Sequence, residues 1–288
     1  MQVFIAGATG VIGRNLIPLL RERGHVVQGL SRDEKGCALL RELGVEPQVA
    51  DLLDTGTHQD LQAFIEGCEA IVHVATALGK HPEAPSREVL ALTGRLRTEG
   101  AGVLLRIARD CGVRRYVQES VELAYPDCGD EWIDESVALD GSKERASLCG
   151  PVIDMELLVE NAHSQDLLCT VLRGGRLVGP ETGQINAIKS LHAGTMKVAG
   201  SGRQFISPVH VRDYARAIVL ALEATAPPLI VNVNAEPVRE GDYLDVLADS
   251  IGAAHPERVD KRGEPPSHRC ASERVLSTLG WEPEEPLF

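Results

Sequence analysis

Three glycines, Gly7, Gly10 and Gly13, are the residues whose type and spacing most directly imply chemistry in this chain. In a strand-to-helix connection, the first such glycine takes a tight turn and the second lets the backbone approach a pyrophosphate. The third lets the helix pack close to the strand. With Thr9, Val11 and Ile12 between and beside them, they open a segment whose free N–H groups and positive dipole end would face phosphates. A purely structural βα turn needs the same glycines, so the flanks decide. Gln2 to Ala6 is a short β-rich run, and Ile12, Leu16, Ile17, Leu19 and Leu20 recur at helical spacing. Strand, glycine turn and helix together are the setting a dinucleotide requires.

Further candidates stand at the ends of later strands. His25 to Leu30 reads as a second strand that runs into Ser31, Arg32 and Asp33. An arginine at this place takes the 2′-phosphate of NADP, whereas a carboxylate bonds the ribose 2′-hydroxyl of NAD. Arg32 is read as the phosphate ligand beside Ser31, and Asp33 as a helix N-cap; the rival reading gives Asp33 to an NAD ribose. NADP is therefore the expected cofactor and NAD the alternative. Asp51 and Leu52, after a third strand at Glu46 to Ala50, suit an adenine amino group and an apolar lid, or else Asp51 caps the helix that begins near Thr57. Ala70 to Ala75 is a nearly continuous apolar strand, and the small residues Ala75, Thr76 and Ala77 allow backbone to touch a cofactor. Gly174, at the end of a sixth strand, completes the cofactor set. For proton transfer the candidates are Ser120 and Tyr125 on the loop after a fifth strand, with Glu119 and His210 facing substrate. The plainer roles are a loop hydrogen bond for Ser120, packing for Tyr125 and for His73 within its strand, and a strand-to-helix turn held by His210.

Strands and helices alternate along most of the chain. Arg87 to Asp110 reads as one long helix, Arg115 to Glu119 as the fifth strand, Met155 to Ala162 as helical and Leu167 to Arg173 as the sixth strand. This order predicts an α/β fold, a Rossmann-type doubly wound parallel sheet with helices on both faces and a small C-terminal substrate lobe. Residues 1–175 would form the dinucleotide-binding domain, with 204–235 returning to it, and 176–288 the smaller lobe. His81 to Ser86, with two prolines, reads as a loop, and Pro265 with Pro266 as an exposed link. Two apolar helical stretches, Val89 to Ala108 and Met155 to Ala162, would allow a homodimer across a two-fold axis; a monomer is the alternative.

Composition narrows the classes. The 288 residues carry 29 Lys and Arg against 42 Asp and Glu, a net charge of −13, which would repel a nucleic acid. No apolar stretch reaches the length that spans a bilayer. The chain enters its first strand at Gln2 with no leader before it, so a soluble cytoplasmic protein is expected. The seven cysteines are scattered and never form a CxxC pair, which favours thiols over disulfides or a zinc site, and no metal is expected.

Several separated motifs resemble the extended and atypical short-chain dehydrogenases/reductases, in the branch called NAD-dependent epimerase/dehydratase-like. They are GATGVIGR at Gly7 to Arg14, DLLD at Asp51 to Asp54, VHVATA at Val72 to Ala77 and TVLRGGRLVGP at Thr170 to Pro180. PVHVRDYARAI at Pro208 to Ile218, VNVNAEP at Val231 to Pro237 and LGWEP at Leu279 to Pro283 extend the likeness to the end of the chain. The resemblance implies a dinucleotide-dependent oxidoreductase of reductase or epimerase type, and the acidity of the loop from Ser120 to Ser136 (Glu122, Asp127, Asp130, Glu131, Asp134, Glu135) favours a small carbonyl- or enone-bearing metabolite over a phosphorylated or nucleotide-sugar substrate. The resemblance also implies a Tyr-x-x-x-Lys pair on the helix containing Glu156, where Tyr moves the substrate proton and Lys tunes it. Those positions fall here on Leu148 and Val152, and a helical Asn that supports the same relay is replaced by Arg97. A proton must then come from Ser120, Glu119, Tyr125, His210 or water. The alternative is a non-redox dinucleotide-binding protein: an NADP sensor, or a dehydratase, isomerase or cyclase. The NADP reading predicts that Arg32→Ala weakens NADP binding by about 1–3 kcal/mol and leaves NAD almost unchanged; equal losses in calorimetric titrations with the two cofactors would refute it.

Overall fold

The computed structural model describes residues 1–78, 86–259 and 265–288. The loop read over His81 to Ser86 lies, apart from Ser86, outside the described residues. Seven parallel strands form the central sheet: β1 Gln2–Ala6, β2 Val26–Ser31, β3 Glu46–Val49, β4 Ala70–His73, β5 Arg115–Val121, β6 Leu168–Gly174 and β7 Ile230–Val233. Their order is β7-β6-β5-β4-β1-β2-β3, so the chain runs outward from β1 in one direction, then returns and fills the other side beginning with β4. The crevice between β1 and β4 is the place where such sheets bind ligands. Val3 stands opposite Val27 on one side and Ala70 on the other. Val3 to Ala6 are wholly buried, as a parallel strand covered on both faces must be.

Alternate side chains of the sheet enter two apolar layers. On one face Val3, Ile5 and Val117 meet α1 (Val11–Glu22), α2 (Glu34–Glu42) and, from later in the chain, Tyr214, Ile218, Val275 and Trp281. On the other, Phe4, Ile71 and Tyr116 meet α3 (His58–Ile65), α5 (Ala101–Asp110) and α6 (Ala146–Ala162). The expected long helix from Arg87 is interrupted: α4 spans Arg87–Arg95, and a π-helical turn at Leu96–Gly100 precedes α5. α6 begins at Ala146 rather than Met155 and carries Pro151 inside it. Gly150 and Pro151 read as breakers in sequence, yet Cys149, Val152 and Met155 are buried in an apolar cluster that outweighs the lost helical hydrogen bond. Gly94 on α4 leaves room for this proline, since a Cβ there would stand 3.0 Å from Pro151 Cγ.

After α7 (Gln184–His192), short strand pairs hold a separate apolar cluster that includes Val178, Leu191, Ile206, Tyr243 and Leu247. Pro208–His210 pairs in parallel with Arg176–Val178, and Phe205–Ile206 antiparallel with Val238–Arg239. α8 (Val211–Glu223) packs on α1 in the main core, α9 (Glu240–Ser250) in the small cluster, and α10 (Glu273–Leu279) again in the main core. Trp281 anchors that return, its indole N–H donating to the Asp213 carbonyl at 2.8 Å.

Close approach at the β1–β4 crevice makes a steric demand. Gly7 has φ +94°, and a Cβ on it would lie 2.7 Å from the backbone of Val74 and Ala75. Gly7→Ala therefore combines an unfavourable φ with a backbone collision and should lower unfolding free energy by about 2–4 kcal/mol. Urea denaturation would measure this, and a loss below about 0.5 kcal/mol would contradict the geometry.

Candidate active site

The glycine turn is completed by Gly13, whose missing Cβ would come within 2.5 Å of the Gly7 and Ala8 carbonyl oxygens. Gly10 is the N-cap of α1; its N–H donates to the Gly7 carbonyl at 3.0 Å, and no side chain caps the helix. The first turn, Val11, Ile12 and Gly13, contains no acidic residue to occupy or neutralise the helix start. Thr9 is part of this turn, and the backbone of Ala75 walls it from β4. Thr76 comes next, half-buried, and the Ala77 N–H is tied to Thr93 Oγ1 at 3.2 Å. A peptide-walled cradle with free helix-start N–H groups suits a pyrophosphate.

At the end of β2, Asp33 caps α2, its carboxylate accepting from Gly36 N–H at 2.7 Å. Ser31 is buried, and its hydroxyl donates to the Asp33 carbonyl at 2.9 Å. Arg32 is exposed and makes no hydrogen bond or ion pair among the described residues, which leaves its guanidinium open at the rim. Asp51 accepts from Leu53 N–H at 2.9 Å in a local turn, while the entry to the next helical segment is capped by Asp54 through Gly56 N–H. Leu52 turns inward, buried near Gly100, rather than forming an open lid. Gly174 serves packing: a Cβ would stand 2.6 Å from the Tyr214 ring.

The candidate catalytic residues gather at the ends of β5 and β6, where a hydrogen-bonded chain runs through the interior; β5 extends to Val121, so Ser120 lies in the strand, paired with Arg173 of β6, rather than on the loop after it. Ser120 Oγ donates to Glu156 at 2.6 Å. Arg173 holds the same carboxylate through Nε and Nη2, at 3.1 and 2.6 Å, and donates from Nη1 to the Tyr125 hydroxyl at 2.7 Å. That hydroxyl donates in turn to Asn232 Oδ1 at 2.9 Å. Ser120, Glu156, Arg173, Tyr125 and Asn232 are all buried. Burial pushes the Tyr125 phenol up from its ordinary range, against the opposing charge of Arg173. Glu119 is buried against Arg97, with 3.5 Å between carboxylate and guanidinium, and loss of water raises its carboxyl despite that cation. Leu148 is half-buried and Val152 fully buried, both in the apolar cluster with Ala124 and Met155. His210 caps α8, its Nδ1 accepting from Arg212 N–H at 3.3 Å, so the structure places it at the helix start. His73 is buried within β4 and bonded to Gln118 at 3.0 Å; burial pushes it down to about 4.

Glu122 escaped sequence reasoning. It sits on the short 3₁₀ turn after β5, buried, with Oε2 lacking any hydrogen-bond partner. Burial pushes its carboxyl up to about 8, moderated by Cys270, Arg176 and Ser207. The visible signal was a run of polar residues, Gln118, Glu119 and Ser120, in a strand whose position in the sheet is central, continued by Glu122 on the turn after it. Among the described residues no group of three or more His, Cys, Asp or Glu could hold a metal ion, and no helix is long and apolar enough to cross a membrane.

Residues 3–233 match the model of the NAD dependent epimerase/dehydratase family. The chain belongs to that family. A 3-diazoavenalumate denitrifying reductase from a Streptomyces species is 33% identical over 100% of this chain and 98% of its own length. A 4-hydroxy-2-methyl-3-oxo-4-farnesyl-3,4-dihydroquinoline-1-oxide ketoreductase from Stigmatella aurantiaca is 25% identical, covering 88% of this chain and 74% of its own. Among solved structures, a UDP-glucose 4-epimerase from Thermotoga maritima superposes with a TM-score of 0.83 at 20% identity, covering 100% of this chain and 95% of that one. A dTDP-glucose 4,6-dehydratase from Streptomyces venezuelae, with NAD bound, gives 0.82 at 20% identity, covering 99% and 93%. The structures establish the Rossmann-like fold of this epimerase/dehydratase chain, and its relatives in sequence include reductases.

The Glu122 carboxyl has a consequence for stability. Its folded value of about 8 lies above the ordinary 4.5, so the folded state takes up the proton more tightly. That contribution is complete below pH 4.5 and is lost as pH rises through 8. Glu122→Gln, which stays neutral, should gain on the wild type by up to roughly 5 kcal/mol over that interval. Thermal melts at both ends measure the change; a difference independent of pH would contradict it.

Proposed function

We propose that this protein is an NADP-dependent reductase of a small carbonyl- or enone-bearing metabolite that works without a Tyr-x-x-x-Lys pair. One observation carries the reading: the glycine cradle is complete, while Leu148 and Val152 pack as apolar core where the family resemblance implies the acid and its lysine. When bound, the reduced nicotinamide supplies the hydride, and the protein supplies orientation. The cradle at Gly7, Gly10 and Gly13 holds the pyrophosphate, with Arg32 free at the rim for a 2′-phosphate. NAD at the same place, with the ribose on Asp33, is disfavoured by that residue's commitment to capping α2.

Ser120 is the proton-bearing group at the strand end, backed by Glu156 and Arg173. Tyr125 has its hydroxyl engaged on both sides and acts through Arg173, as a positioning residue. Against a nucleotide sugar stands the pairing of three of the four cations Arg176, Lys197, Arg203 and Arg212: Arg176 with Glu240 at 2.6 Å, Lys197 with Glu257 at 3.4 Å and Arg212 with Glu285 at 3.4 Å. In the acidic loop from Ser120 to Ser136, Asp130 is paired with Arg239 and Glu135 with Arg274.

The similarity to a denitrifying reductase favours a second acceptor class, an aryl diazo compound. There a C–H bond forms as the C–N bond breaks and dinitrogen leaves, so no alkoxide needs a proton from Tyr. The seven unpaired thiols suit a reducing compartment such as the cytoplasm. Leu157 and Leu158, exposed on α6, suit pairing with a second copy.

Calorimetric titration with NADPH and NADH, followed by NADPH oxidation against carbonyl, enone and aryl diazo compounds, tests the reading. NADPH should bind more tightly and be oxidised, and Ser120→Ala should reduce carbonyl turnover by about 10²-fold at unchanged NADPH affinity. Binding without turnover on any compound would favour the sensor or non-redox alternative.

A further inference from the structure

Arg97 is buried, 4% exposed, in the π-helical turn Leu96–Gly100. Its Nε and Nη2 have no hydrogen-bond partner, and the carboxylate of Glu119 stands 3.5 Å from Nη2. A guanidinium carries five donors in a fixed fork, and leaving them unfilled away from water is costly. Such an exception in an otherwise well-satisfied interior calls for a cause.

The position supplies one. Arg97 starts from the helical layer that covers Tyr116, and its charge is felt by His73, the last residue of β4. Glu119 alternates with Ser120, so it points to the opposite layer, where Val117 packs and Tyr214 senses its charge. Reaching from one layer to the other, the Arg97 side chain passes the carboxyl end of β4, where His73 pairs with Gln118, and meets Glu119 on β5 one residue further on, at the edge where this fold carries out its chemistry. A π turn inserts a residue into a helix and re-aims the side chains beyond it, a device frequent at functional sites.

We propose that Arg97 is a catalytic residue: its guanidinium donates hydrogen bonds to the negative charge that hydride transfer leaves on the substrate oxygen. This deepens, and rests on, the reductase reading. As hydride bonds to the carbonyl carbon, the C=O π pair moves to oxygen and the nicotinamide is oxidised; an enone gives the corresponding enolate. Arg97 stabilises this oxyanion without giving up a proton, which guanidinium groups retain in proteins. The proton is delivered afterwards from water or Ser120. A fixed charge in a dry site needs little reorganisation when the oxyanion forms.

The test uses the full chain with NADPH and 9,10-phenanthrenequinone, in wild type, Arg97→Gln and Arg97→Lys. A second measurement tracks the visible band of 4-nitrophenol added to each NADP complex, as a stable oxyanion. Arg97→Gln should lose about 10²-fold in kcat at unchanged NADPH affinity, and Arg97→Lys should recover most of it. 4-Nitrophenol should show more of its phenolate band on the wild-type complex than on Arg97→Gln. If Arg97→Gln fails to fold, as circular dichroism would show, Arg97→Lys decides: retained turnover and phenolate band support the assignment, and loss of both at native fold overturns it. A folded Arg97→Gln with wild-type kcat and phenolate band overturns the assignment alone. A wild type that binds NADPH but oxidises it with neither the quinone nor any carbonyl compound overturns the reductase reading, and the role of Arg97 with it.

Discussion

The bidentate pair of Glu156 and Arg173 is the interaction on which the interior of this molecule depends. It joins the middle of α6 to the end of β6, and both partners are withdrawn from water. A buried pair of this kind is tolerable only when its remaining valences are filled, because removing either partner strands an uncompensated charge. Here they are filled from both sides: Ser120 donates to the carboxylate, and the third guanidinium nitrogen donates to Tyr125. Tyr125 passes the constraint to Asn232 on β7, and Asn232 donates onward to the carbonyls of Ile133 and Ala271. One ion pair thus fixes the ends of three strands, one helix and the segment that carries the acidic loop.

This chain also explains why the apolar Leu148 and Val152 do not unmake the fold. Val152 and Leu148 lie about one and two helical turns before Glu156 on the same helix face, within the cluster that seats α6 against Ala101 and Ala124. Replacing titratable groups there by aliphatic ones relieves a desolvation cost, and stability does not demand a Tyr or a Lys. What stability does demand at this end of the sheet is the Glu156–Arg173 pair.

The nucleotide half of the site was legible in sequence because steric demands write themselves into residue types. Gly7 must accept a positive φ and touching backbone, Gly13 must admit two carbonyl oxygens, and each shows as a glycine with a strand before it and a helix after it. Asp33 was legible as a cap for the same reason, since a side chain that satisfies a helix start within three residues needs no tertiary information. The sheet was legible from alternation and from uninterrupted apolar strands. The helix starting at Ala146 was not legible, because Gly150 and Pro151 oppose it locally and only burial of Cys149 and Val152 overrides them. Nor was the π turn, whose hydrogen-bond shift leaves no periodicity in so short a stretch. The pairings of the acidic loop were also hidden: Asp130 meets Arg239 and Glu135 meets Arg274 across more than a hundred residues, so the loop reads as unpaired charge until the chain is folded.

Three carboxylates near the end of β5 show how differently one strand end can treat the same group. Glu156 receives a serine and a bidentate arginine; Glu119 has a single arginine at the margin of contact; Glu122 has an oxygen with no partner at all. The best-satisfied one belongs to the framework, and satisfaction declines from Glu156 to Glu119 to Glu122. Environments that push titratable groups apart are how a fold assigns different chemical tasks to similar side chains. The gradient here runs from a rigid ion pair to under-satisfied polar groups at the strand ends, where Arg97 and Glu122 keep unfilled donors and acceptors. A protein interior carries such groups at a cost; among the described residues four of the seven such atoms, on His73, Arg97 and Glu122, lie around the ends of β4 and β5, and the other three belong to Gln204, Asn234 and Arg269. At these strand ends the polar groups thus divide into a satisfied set that holds the fold, Ser120, Glu156, Arg173, Tyr125 and Asn232, and an under-satisfied set, Arg97 and Glu122, that the fold does not require.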